Sequence, residues 1–358
     1  MPDTRTEVIV GVDTHADTHT AFAIDHTGRK LGALVVAAEE AGYAELWEWG
    51  CGLGALGRAG VEGTGCYGAG LARFLAAKGV EVVEVNRPNR QRRRRHGKSD
   101  PTDAEAAARA VLAGEATAAP KTRDGIVESI RVLRVPRASA LKARTQVANQ
   151  IKDLVVAAPE DLRSELRPLK THQRVARSAR LEPGDPRDPA EATRVALRSL
   201  ALRYQQLTDE LRRLNRELAR LTRIAAPRLL ERPGVGVESA GKLLVAAGDN
   251  AHRLSTDAAL AALCGASPVE ASSGRVTRHR LNRGGNRQAN NALWTIATNR
   301  LRHDTRTRDY AQRRTHEGKT RAEIIRCLKR YLARELHPLL LADLHDANTV
   351  NGTGHESP

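Results

Sequence analysis

The sequence predicts three structured parts. An α/β domain with a mixed sheet spans residues 1–118, a helical linker and coiled coil spans 119–228, and a mainly α-helical part spans 229–341, with a disordered tail over 342–358. Three observations carry this prediction. Residues 7–37 alternate with period two, the signature of strands. Strand-like and helix-like runs then take turns as far as Val85, the order that makes later strands parallel. Between Leu197 and Leu221, apolar residues recur at spacings of three and four, the seam of a coiled coil.

In EVIVGVDTHADTHTAFAID, Val8, Val10 and Val12 point one way and Ile9, Gly11 and Asp13 the other. A second strand over 18–24 follows a polar turn, and a third over 31–37 follows His26-Thr27-Gly28-Arg29, which together make an antiparallel meander. A helix is expected over 39–49, with a glycine-rich turn over 50–57. A short strand over 58–63 carries Glu62 near its end, an amphipathic helix covers 67–78, and VEVVEV over 80–85 is a further strand.

Asp13 is out of place in an apolar strand, because a buried carboxylate must be paired or bound to metal. Taken alone it could equally sit at the sheet edge in water or accept hydrogen bonds from the 14–20 loop. SDPTDA over 99–104 opens a helix over 104–112. There Asp100 reads as the N-cap, Pro101 as the first helical residue and Asp103 as a capping-box acid. Capping alone accounts for both aspartates. It does not account for their sharing a chain with Asp13 on a first strand and Glu62 on a fourth. Acids converging from separate elements can hold two divalent cations about 4 Å apart for phosphoryl chemistry, and this order of acids is the ribonuclease-H-like arrangement.

Lys and Arg number 58 against 42 Asp and Glu, a formal charge of +16 that points to a polyanion, most economically nucleic acid. Aromatic residues make up 3%, too few for a single-strand binder built on stacking. The four cysteines lie far apart, which suggests neither a zinc site nor a disulfide framework. No apolar run approaches the roughly 18 residues of a membrane span and no signal-peptide core is present, so a cytoplasmic protein without a membrane partner is expected. The charge is clustered. NRPNRQRRRRHGK places Arg87, Arg90, Arg92, Arg93, Arg94, Arg95 and Lys98 between two ordered elements, which favours a phosphate-contacting loop over a disordered arm.

Residues 118–126 read as a linker, 127–154 as a basic helix and 159–189 as a poorly ordered, proline-rich interruption. The seam itself is Leu197, Leu200, Tyr204, Leu207, Leu211, Leu214, Leu218 and Leu221. Its strict two-position form favours self-association, and a hairpin with 127–154 is the alternative. Beyond it, Pro233-Gly234-Val235-Gly236 before a helix over 238–247 resembles a helix-hairpin-helix turn, whose amides can face a phosphate. Helices are expected over 256–264, 286–301 and 321–340. Between the first two of these, Ser272-Ser273-Gly274 is surrounded by Arg275, Arg278, Arg280, Arg283 and Arg287. Serine beside glycine is usually a turn, but serine among arginines that could hold a phosphate is a candidate nucleophile.

With these residues in place, the chain resembles the insertion-sequence-110 family of transposases, the DEDD recombinases. The likeness runs from VGVDTH through VEGTG and GKSDPTDAEAAARA to RPGVG, GASPVEASSG and HRLNRGGNRQANNALW. It implies a RuvC-like N-terminal domain in which Asp13, Glu62, Asp100 and Asp103 bind Mg²⁺, expected as two ions. It also implies a C-terminal domain whose serine, Ser273 by position, attacks DNA and forms a covalent intermediate, with Ser272 beside it as the other choice. A homo-oligomer (dimer or tetramer) with a composite site, DNA as substrate and a guide RNA encoded by the element are further implications.

Three readings follow. The chain is a metal-dependent, serine-using recombinase that excises and inserts its own element, a hydrolytic junction endonuclease that dispenses with Ser273, or a non-catalytic assembly protein that dispenses with the acids as well.

Overall fold

The computed structural model describes residues 6–85, 99–275, 279–280 and 282–352. The chain divides into two units, residues 1–124 and 125–358.

The first unit is a five-stranded mixed sheet. Strands β1 (Glu7–Thr14), β2 (Thr18–Asp25) and β3 (Lys30–Ala37) form the antiparallel meander, and β4 (Ala55–Glu62) and β5 (Glu81–Val85) add in parallel, giving the order β3-β2-β1-β4-β5. The alternation in β1 has its cause here, because both faces of the strand are covered. Val8, Val10 and Val12 join Leu46 of helix α1 (Glu40–Leu53) and Leu71 and Leu75 of α2 (Ala69–Ala77) in one core. Ile9 joins Ala104, Ala107, Ala108 and Val111 of α3 (Asp100–Leu112) in the other. The linker expected from residue 118 still belongs to this unit, since Ala118 C=O accepts a hydrogen bond from Glu84 N–H at 2.7 Å on β5.

In the second unit, α4 (Ile126–Ala157) and α7 (Pro189–Ala225) lie side by side, joined through α5 (Glu160–Leu166) and α6 (Thr171–Ser178). Val147, Ile151 and Val155 near the end of α4 pack with Leu197, Leu200, Tyr204 and Leu207 near the start of α7. Val127 and Ile130, at the beginning of α4, pack with Leu218, Leu221 and Ala225 at the end of α7. The pair is therefore antiparallel. The seam expected to hold a second chain is filled by α4 of the same chain, and the coiled coil is an intramolecular hairpin. Tethering explains the outcome, because closing a loop costs only a few kcal/mol and grows slowly with its length.

Two further expectations are corrected. The supposedly disordered stretch 159–189 holds α5 and α6, whose Leu162, Leu166 and Val175 complete the core at that end of the hairpin. The tail expected from residue 342 continues as helix α13 (Arg321–Gly352). Asp343 is buried on it and accepts the backbone N–H groups of Arg228 and Leu229 at 3.2 and 3.0 Å, so the helix is anchored where sequence suggested solvent.

Helices α8 (Pro227–Leu230), α9 (Val237–Ala247), α10 (Asp257–Leu263), α11 (Arg287–His303) and α12 (Thr305–His316) pack with α13 and the open end of the hairpin around one core. The boundary expected at 228/229 therefore lies inside a continuous hydrophobic cluster.

Leu197→Ala should lower unfolding free energy by about 2–5 kcal/mol, since Leu197 is fully buried. Leu202→Ala, five residues along on the exposed face, should change it by no more than about 0.5 kcal/mol. Denaturant melts of both variants check this, and equal costs would mean that α7 buries a different face.

Candidate active site

Backbone proximity builds the acidic site. A Cβ on Gly11 would lie 2.0 Å from the Ala104 carbonyl oxygen and 2.3 Å from the Ala108 nitrogen. Its register neighbour Gly60 faces the same helix, and a Cβ there would lie 2.7 Å from a Val111 methyl and 2.9 Å from the Ala107 carbonyl oxygen. This pair of bare backbones lets α3 lie directly on the two central parallel strands. Asp13 and Glu62 follow Gly11 and Gly60 by two residues, so they share the α3 face at the carboxyl ends of those strands. Thr14 Oγ1 ties the two strand ends by donating to the Glu62 carbonyl at 2.8 Å.

At its N-terminus α3 brings in the remaining acids. Ser99, in extended conformation, is the N-cap, Asp100 is the first helical residue, and the Ser99 side chain makes no capping hydrogen bond. The capping role that would have explained Asp100 is thus absent. Its carboxylate instead lies 3.4 Å from His15 Nε2, and the same nitrogen lies 3.4 Å from Asp13 Oδ2, without hydrogen-bond geometry to either. Asp13 is 7% exposed and Asp103, one turn further along α3, is 3% exposed. Glu62 is half-buried.

Among the described residues, ligand atoms of Asp13, His15 and Asp100 all lie within 4.8 Å of one another. Two carboxylates and an imidazole suit a hard divalent cation such as Mg²⁺ or Mn²⁺, and the ring nitrogen widens the choice toward Mn²⁺. Sequence reasoning passed over His15. The signal was its place two residues after Asp13, the spacing that puts both on one side of an extended chain.

The second unit carries the serines. Strands β6 (Val269–Glu270) and β7 (His279–Arg280) pair as a short ribbon. Ser272 and Ser273 lie exposed on the connection between them, with Arg275 exposed after them. Arg280, Arg283 and Arg287 are exposed on the way out of the ribbon. Arg278 and the whole basic run from Arg87 to Lys98 lie outside the described residues.

The base of this loop is clamped. Gly285 sits at φ +85°, and a Cβ there would lie 2.6 Å from the Gly265 nitrogen and 2.7 Å from the Leu263 carbonyl oxygen. Asn286 N–H donates to that carbonyl at 2.6 Å, and Asn290 Nδ2 donates to the Cys264 carbonyl at 2.7 Å. The motif RGGNRQAN therefore pins the exit of the serine loop to its entry. The Pro-Gly turn before α9 is held differently from a free phosphate clamp, since Arg300 Nε donates to the Pro233 carbonyl at 2.7 Å.

A mixed sheet of this order, with acids at the carboxyl ends of β1 and β4 and at the helix laid across them, defines a ribonuclease-H-like domain of the DEDD type. A DEDD transposase model of IS110 type matches residues 10–158, and the model described as "Transposase IS116/IS110/IS902 family" matches residues 226–312. The chain belongs to the IS110 family of transposases. It is 37% identical over 133 residues to the "Insertion element IS110 uncharacterized 43.6 kDa protein" of Streptomyces coelicolor, a match covering 37% of this chain and 30% of that protein. Among the described residues, no helix is long and apolar enough to cross a membrane.

Proposed function

We propose that this protein is a transposase that cuts and rejoins DNA, using Asp13, Glu62, Asp100 and Asp103 to hold Mg²⁺, expected as two ions, and a serine as the attacking group. The observation that carries the reading is the meeting of Asp13 and Asp100 at the end of β1, in a chain that belongs to a transposase family. A bound divalent cation would polarise a phosphoryl oxygen and stabilise the charge that develops there. His15 Nε2 lies 3.4 Å from both carboxylates and would be a further ligand for the cation.

Rejoining without an external energy source requires that phosphodiester energy be kept. A serine–phosphate linkage keeps it, while hydrolysis loses it. The serine Oγ attacks phosphorus, a deoxyribose hydroxyl leaves, and attack by another hydroxyl later releases the serine. Ser273 is the choice for this role because it sits mid-loop among Arg275 and Arg280 on a clamped base. Arginine forks suit a phosphate and the extra charge of its transition state. Multimeric assembly and an element-encoded guide RNA belong to the same proposal.

The test is Ser273→Ala against Ser272→Ala on a nicked substrate carrying the element ends. Wild type and Ser272→Ala should give a protein–DNA adduct that survives denaturation, and Ser273→Ala should bind DNA with unchanged affinity but give none. The reverse pattern would make Ser272 the nucleophile. Cleavage without an adduct in any variant would favour the hydrolytic endonuclease.

A further inference from the structure

At the foot of the serine loop, inside the second unit, lies a cavity of about 650 Å³. One wall is the loop entry, Gly265 to Pro268, and Arg280 on β7 faces it, while Lys319, Arg326, Lys329 and Arg330 come from α13 and the turn before it. Glu323 is the carboxylate in the wall, and it accepts hydrogen bonds from Thr320 N–H and Oγ1 at 2.9 and 2.7 Å. Arg330 is answered from outside the cavity by Asp257 at 2.8 Å.

Lys329 is the anomaly. It is 6% exposed, and its hydrogen bond is to Asn290 Oδ1 at 3.1 Å, an uncharged partner. Among the described residues no carboxylate lies within ion-pair distance of it. Burial, and then the charge of Arg326, hold its ammonium below the usual lysine range. A buried charge without a counter-ion costs several kcal/mol, so proteins seldom keep one unless something arrives to neutralise it. Lys329 is at once almost wholly buried and part of the lining of a cationic cavity large enough for a phosphate. Asn290 also holds the Cys264 carbonyl, so the lysine and the clamp of the serine loop share one side chain.

We propose that this cavity is a phosphate-binding site, with Lys329 and Arg326 as its principal contacts, that seats one backbone phosphate of a nucleic-acid strand at the base of the serine loop. The assignment to a strand rests on the transposase reading, whereas the phosphate chemistry stands without it.

The experiment uses the full chain without divalent metal, so that it reads neither cleavage nor the role of Ser273. Thermal unfolding is followed against inorganic phosphate at constant ionic strength in chloride, and binding of a DNA and an RNA oligonucleotide of the same sequence is followed across salt. Wild type should be stabilised by phosphate in a saturable way. Lys329→Met, which keeps the buried stem, should lose that stabilisation, and Arg326→Gln should weaken it. Arg203→Gln, an exposed change on α7, should keep it. Lys329→Met should also bind the strand about tenfold more weakly and lower the salt slope by about one unit. A slope change with DNA alone or RNA alone names the strand that occupies the site. Unchanged slopes with both, while phosphate stabilisation is lost, would assign the cavity to free phosphate and overturn the strand assignment. Phosphate stabilisation that persists in both Lys329→Met and Arg326→Gln would overturn the site altogether. Should Lys329→Met fail to fold, Arg326→Gln at the exposed rim carries the same readouts.

Discussion

Asp13→Asn should cut strand cleavage by at least about 10²–10³-fold, the usual cost of removing one group that stabilises transition-state charge, while leaving the thermal unfolding of the chain close to that of wild type. The fold should tolerate the change because the amide has the same shape and because neutralising one of several neighbouring carboxylates relieves repulsion. Chelating divalent metal from wild type should reproduce the loss. Binding of Mn²⁺, read by its paramagnetic resonance, should weaken in Asp13→Asn and in Asp100→Asn alike. Asparagine caps a helix as well as aspartate does, so Asp100→Ala is the sharper test. A capping aspartate would lose helix stability on that change, typically about 1 kcal/mol, but the cap position of α3 belongs to Ser99. Asp100→Ala should therefore lose metal and keep its helix. Full cleavage in chelator, or unaltered Mn²⁺ binding in both variants, would remove the metal from the mechanism.

Gly11→Val should be the most damaging single change in the first unit. The new Cβ would meet the Ala104 carbonyl oxygen at 2.0 Å and the Ala108 nitrogen at 2.3 Å, both main-chain atoms of α3 that cannot rotate away. Overpacking of ordinary cores costs about 1–3 kcal/mol, and a clash with backbone lies at or beyond the top of that range. The helix must lift, and it carries Asp100 and Asp103 with it. Loss of stability and loss of Mn²⁺ binding should thus appear together. Gly52→Ala is the contrast, since its Cβ would meet nothing within 4 Å and the residue lies in α1. There alanine should stabilise by about 0.5–1 kcal/mol, the usual gain over glycine in a helix. Denaturant melts of the two variants decide the matter. A Gly11→Val protein as stable as wild type would mean that α3 does not rest on β1.

The acids show how far local pattern reaches. Asp13 announced itself as a carboxylate in an apolar alternation, and Glu62 as an acid closing a later strand. Period-two spacing is a property of the backbone itself, so a strand and its odd residue are legible without knowing the neighbours. The same holds for the meander, the crossover order and the family motifs, all carried by consecutive residues. Asp100 and His15 were harder. A helix-opening aspartate looks the same whether it caps or binds, and a histidine two residues past Asp13 is ordinary until α3 is laid across the strand.

What sequence determined by itself was therefore the acids offered for the candidate site, the strands and helices that carry them, and the family to which the chain belongs. Tertiary structure alone decided which faces meet. The leucine seam of α7 was equally fit for another chain, and α4 took it because a tethered partner is always at hand. Lys329 was one basic residue among many on α13 until packing buried it beside Asn290. Periodicity specifies that a face is apolar or that a lysine is present, but the partner that covers the face, and the water that is removed from the charge, are set by residues far away in the chain.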